Sequence, residues 1–197
     1  MHDLLGPLVL FAAAMCLTPG PNVVMVTASA ANFGFRRTIP QMLGITIGFA
    51  AMVLAAGFGL AGLFHAEPRL HTLLKYGGVA YLLYLAWRIA RADATSGGAR
   101  RAAPFGFIEA FLFTWVNPKG WVSAIGALSA YSTVGGDILL QTSIIAGVLA
   151  AACFVSVVVW AAIGAAIARL LADGRIRRAF NVSMAGLLVL SLLPVLW

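Results

Sequence analysis

Lys119 stands within an apolar stretch and directly follows Asn117 and Pro118, while Thr18, Pro19, Gly20, Pro21 and Asn22 interrupt an apolar stretch near the start of the chain. An ammonium at membrane depth costs roughly 2.5–3.5 kcal/mol on insertion scales, so it has to face a polar interior or a partner. One chemistry open to it is a fixed positive charge for a solute carboxylate; another is a protonation step coupled to transport. The structural alternative is a lysine that donates to carbonyls left unpaired by the prolines. Asn22 and Asn117 carry donors and acceptors for a zwitterion, and could equally satisfy the broken backbone themselves.

The two breaks have a common cause. Proline removes a backbone donor and clashes with the preceding turn, and Gly20 admits backbone angles that other residues avoid. Non-helical backbone at membrane depth is tolerated where it is buried in protein or lines a polar cavity, so both breaks are expected to face the interior. Either alone is explained by a proline kink. Matched breaks in corresponding helices of two halves are instead the pattern of a central solute site, where freed carbonyls and half-helix ends coordinate cargo or ion.

Other candidates carry less. No Ser–His–Asp arrangement, paired intramembrane aspartates, phosphate loop or zinc motif occurs, which leaves an enzyme reading without residues. Ten helical positions separate Glu109 from Lys119, about 15 Å, too far for pairing; Glu109 is expected near the cytoplasmic interface. His65, Glu67 and His71 fit no standard metal spacing. Gly44 and Gly48 form a small-xxx-small pair suited to close helix packing. Cys16 and Cys153 sit in apolar runs, where a thiol behaves as a small hydrophobe. Trp115 and Trp121 flank the second break and are placed to line a solute path.

These residues need helices through lipid to position them. Of the 197 residues, 62% are hydrophobic and 10% charged, against about half and a quarter in soluble domains. A hydrocarbon core of about 30 Å takes roughly 20 apolar residues per helix, and the runs lack the alternation of barrel strands. The pattern predicts an all-α membrane protein with six transmembrane helices near 4–31, 40–64, 72–91, 105–131, 138–168 and 178–196. The first run has no Lys or Arg before it, carries Asp3 and continues past Pro21, so it is expected to be a retained helix and not a cleaved signal. A linker at 95–104, containing Thr95, Ser96, Gly97 and Gly98, divides a single transporter domain into three-helix halves, 1–94 and 105–197.

The net charge of +7 raises nucleic-acid binding, but the basic residues are scattered among loops between apolar spans. They mark orientation instead. With the N-terminus outside, the inner loops hold Arg36, Arg37, Arg88, Arg91, Arg100, Arg101, Arg169, Arg175, Arg177 and Arg178, and the outer segments hold only Arg69 and Lys75. Basic flanks stay cytoplasmic, so both termini are predicted outside. Because each half has an odd number of spans, the halves would run in opposite directions, as inverted repeats with broken first and fourth helices.

Taken in order, Thr18-Pro19-Gly20-Pro21-Asn22, Gly34-Phe35-Arg36-Arg37, Gly44-Ile45-Thr46-Ile47-Gly48, the run from Leu74 to Trp87, and Asn117-Pro118-Lys119 resemble the LysE/RhtB family of amino-acid exporters over nearly the whole chain. The resemblance implies a small bacterial inner-membrane exporter of amino acids or their derivatives, driven by proton antiport. Its expected partners are an amino-acid-like solute, protons and membrane lipids, with a homo-oligomer allowed; no cofactor, metal or nucleic acid is expected. Where many relatives continue to a Pro-Gln-Phe-like segment, this chain reads Ser129-Ala130-Tyr131, so no specific amino acid follows from the likeness. Electron carriers of the wider superfamily place a cysteine by the proline of each half. Here Cys16 adjoins the first motif but no cysteine adjoins Pro118, which argues against a thiol–disulfide carrier. A non-transporting assembly subunit is the remaining alternative.

Overall fold

Two Pro-initiated helices follow the two breaks. In the computed structural model, which describes residues 2–60, 68–91, 103–133 and 136–191, helix α1 (His2–Leu17) ends before Thr18 and Pro19, and α2 (Pro21–Phe33) begins after an extended Gly20. Pro21 occupies the first helical position, where its missing N–H would have had no intrahelical partner. The two helices are bent by 56° at the break. The second break repeats the device: α5 (Phe107–Val116) stops at Asn117, and α6 (Pro118–Tyr131) starts on Pro118. Asn117 is extended, at φ −83 and ψ 110, the conformation a following proline imposes. Its Oδ1 accepts from Lys119 N at 3.1 Å and so caps the new helix.

The remaining helices are unbroken. Helix α3 (Phe35–Ala55) runs on through a π-helical turn, Ala56–Leu60, in which Gly59 adopts φ 105. Helix α4 spans Pro68–Ala90, α7 spans Ile138–Ile167 and α8 spans Gly174–Leu190. The described residues are all-helical, with no strand among them. Helix α3 with most of its π turn, and α7, are each long and apolar enough to cross a membrane, and α1 with α2 makes a third span if the bent pair is counted as one. In chain order, each broken pair comes before a long unbroken helix, α1 and α2 before α3, and α5 and α6 before α7.

The second helix begins earlier than the expected start at 40. Gly34, at φ 86, makes the turn between α2 and α3, and Arg36, Arg37 and Pro40 lie within α3. Pro40 sits near the start of the helix, where losing one N–H removes a single bond at an end that already has several unpaired donors. The linker from Thr95 to Gly98, together with His65 and Glu67, falls outside the described residues.

Helix α2 forms the centre. Pro21 and every residue from Val23 to Ala31 are buried, the all-round burial of a helix inside a bundle. Helix α7 packs against α1, α2 and α3, while α3 also packs along α5 and α4 packs against α8. Small residues set these distances. A Cβ on Gly44 would run into the carbonyl of Phe107, one on Gly48 would lie 3.0 Å from Phe111 O, and one on Gly164 would strike Thr27 O. Outward positions are apolar: Leu10 is 73% exposed, Ile108 68% and Val122 66%. A surface of that kind is suited to lipid, since soluble monomers rarely expose large contiguous apolar patches.

Candidate functional site

Breaking α1 leaves its last carbonyls without intrahelical donors, and side chains from the second half supply them. Ser156 Oγ donates to Cys16 O at 2.6 Å, Trp160 Nε1 to Leu17 O at 3.3 Å, and Lys119 Nζ to Thr18 O at 2.6 Å. Three consecutive carbonyls are thus partnered by α6 and α7. A Cβ at Gly20 would stand 2.9 Å from Lys119 Cδ and 3.2 Å from its Nζ, so a larger residue there would push the lysine side chain from its place. The lysine lies across the first break from the start of the helix that follows the second.

Around this crossing is a cavity of about 50 Å³. It is lined by Thr18, Gly20, Pro21, Asn22, Asn117 and Lys119 of the sequence-predicted set, whereas Pro19 and Pro118 shape the breaks without lining it. The two motifs, far apart in the chain, therefore share one site. Asn22 Oδ1 is buried with no hydrogen-bond partner; an unpaired acceptor at a cavity wall marks a place where a ligand or water donor would bind. Asn117 is buried, and its Oδ1 is engaged by the backbone of Lys119.

Four more lining residues with a hydroxyl or thiol lay outside the sequence-predicted site set: Cys16, Ser123, Cys153 and Ser156. Cys16 was visible beside the first motif, but Cys153 and Ser156 lie on α7, which has no break and offered no local signal. Ser123 Oγ donates to Lys119 O at 2.8 Å. The aromatic pair flanking the second break makes an edge contact at 6.0 Å, with Trp121 Nε1 donating to Trp115 O at 2.7 Å; neither ring lines the cavity. Trp115 Nε1 is buried and unpartnered, as are both side-chain polar atoms of the fully buried Gln41.

Glu109 has a local role. Its Oε1 pairs with Arg88 Nη1 at 2.7 Å and its Oε2 accepts from Gly106 N at 2.9 Å, capping α5. The Arg88 guanidinium also lies 4.3 Å from the centre of the Phe105 ring. This cluster joins α4 to α5 at one end of the bundle, away from Lys119, as the helical spacing had predicted. A larger cavity, about 430 Å³, lies between the π turn of α3 and the ends of α6 and α7. It is lined by hydroxyls, Gln141 and apolar groups, with no charged residue among its lining. The charge and the orphaned acceptor both belong to the smaller one.

A family model for LysE type translocators matches residues 13–193, taking in both breaks and every residue of the cavity. The chain belongs to the LysE type translocator family. Among curated relatives of this family member, the Cysteine/O-acetylserine efflux protein of Salmonella typhimurium (strain LT2) is 40% identical over 118 residues, that of Salmonella paratyphi A 39%, and that of Escherichia coli (strain K12) 36%. Each alignment covers 58% of this chain and 58% of the relative. No solved structure matches the chain at a significant level. Family membership bears out the resemblance read from the motifs, and with it a helical membrane protein of a transporter family.

Proposed function

We propose that this protein is a secondary active exporter of small neutral amino acids and their acylated derivatives, with cysteine, serine and O-acetylserine as the first candidates. The observation that carries the reading is the Lys119 ammonium at the crossing of two broken helices, beside the unpartnered Asn22 Oδ1. A zwitterion meets both needs: its carboxylate takes the place of Thr18 O on Lys119, and its ammonium donates to Asn22 Oδ1. The family supports transport, and the relatives' names supply the substrate class.

We further read the chain as six spans in two inverted halves, in a bacterial inner membrane with both termini outside and protons as the coupling ion. Odd-membered halves and the charge bias support that arrangement. The test is flux in proteoliposomes of the purified protein, loaded with labelled O-acetylserine or serine, with and without an imposed pH gradient. Gradient-dependent efflux that unlabelled cysteine competes for is expected. Flux that ignores the gradient removes proton antiport; no flux of any amino acid removes the exporter and favours an assembly subunit.

A further inference from the structure

Cys16 closes the last turn of α1 and is held against α7 by two contacts: its Sγ reaches Leu149 O at 3.9 Å, and its carbonyl accepts from Ser156 Oγ at 2.6 Å. On a helix, the residue four after 149 and three before 156 shares the face of both. That residue is Cys153. Leu149, Cys153 and Ser156 are all buried, both cysteines are free thiols, and both line the central cavity. The end of α1 and this face of α7 thus bring the two thiols to one cavity wall.

We propose that Cys16 and Cys153 form a modification site, a thiol pair that a low-molecular-weight disulfide oxidises to an intramolecular disulfide tying the end of α1 to α7 across the cavity. Exchange needs no other oxidant. The Cys16 thiolate attacks one sulfur of R–S–S–R, a mixed disulfide forms, and the expelled thiolate takes a proton and leaves as RSH. The Cys153 thiolate then attacks the Cys16 sulfur, closing the Cys16–Cys153 bond and releasing the second RSH. Two cysteine thiols are oxidised and one small disulfide is reduced to two thiols. Alternating access requires the broken helices to move against the rest of the bundle, and a covalent tie between α1 and α7 holds them still. The consequence for flux rests on the exporter reading: if the cargo includes a small thiol, its oxidised form shuts its own export.

The experiment treats the purified full chain in proteoliposomes with cystamine, using O-acetylserine as cargo because it carries no thiol. Wild-type protein is expected to lose two hydrogens in intact mass without retaining a half-cystamine, to lose its maleimide-reactive thiols, and to lose flux that a phosphine reductant restores. Cys16→Ser and Cys153→Ser each retain a half-cystamine adduct. The Cys16→Ala, Cys153→Ala double variant, whatever its own rate, does not respond to cystamine. A half-cystamine on each cysteine of the wild type, unreacted thiols, or a disulfide that leaves flux unchanged would overturn the proposal. If the reduced protein moves no amino acid, the exporter reading fails separately. Mass and the thermal midpoint still decide the pairing, since a disulfide between distant positions raises the midpoint, and its absence with no hydrogens lost refutes the pair.

Discussion

Lys119 both holds the fold and stands where a charge can meet cargo, and the two roles separate by substitution. The Nζ–Thr18 O bond is one contact at a break where Cys16 O and Leu17 O have other donors, so losing it leaves the bend partnered. Hydrogen bonds to charged groups contribute roughly 1.5–3 kcal/mol, so Lys119→Gln is expected to cut export about ten- to a hundred-fold with little change in melting temperature in detergent. Lys119→Arg is expected to fail as well, because the wider guanidinium has to pass Gly20. Near-normal flux through the Gln variant would leave the lysine a purely structural role. Asn22 gives the complementary case. Its Oδ1 has no protein partner, and Asn22→Ala is expected to leave stability unchanged or higher while raising KM about five- to tenfold, the effect of losing roughly 1–1.5 kcal/mol of ligand contact. Unchanged KM would show that the acceptor faces water only.

At the scale of elements, the breaks and the helices they divide were legible because proline and glycine act locally: a missing N–H at Pro21 and Pro118 stops a helix whatever surrounds it. The glycine pair in α3 was legible for the same kind of reason, since only small residues admit the backbone of α5. Gly44→Val is therefore expected to destabilise the protein by about 1–3 kcal/mol, read as a lower melting temperature, whereas Gly147→Ala, with nothing within 4 Å of its Cβ, is expected to change little. Equal effects would refute the close α3–α5 approach. The start of α3 was misplaced because Arg36 and Arg37 followed by Pro40 resemble a loop, while the turn is set by Gly34. The α7 wall of the cavity was illegible for a deeper reason. Ser156 and Trp160 gain their roles from carbonyls more than a hundred positions earlier, and no local pattern in an unbroken apolar helix records such a pairing.

For the whole molecule, ten of thirteen basic residues fall in segments that the charge bias assigns to one face, and a cytoplasm-only reporter inserted within Ser96–Arg100 is expected to be active while an outside-only reporter works at the C-terminus. Cytoplasmic labelling of both ends would overturn the orientation and the inverted halves with it. The partnering of Cys16, Leu17 and Thr18 carbonyls by Ser156, Trp160 and Lys119 also bears on how the chain is made. A ribosome delivers the first broken helix long before the residues that complete it, so the nascent chain holds unpaired carbonyls in hydrocarbon, each costing several kcal/mol until satisfied. During that interval the first helices must keep water, lipid headgroups or an insertion factor at the bend. Nascent chains stalled before Ser156 has left the ribosome are expected to crosslink near Thr18 to insertion machinery and to be degraded rapidly on release. Chains stalled after Trp160 has entered the membrane should have let that contact go.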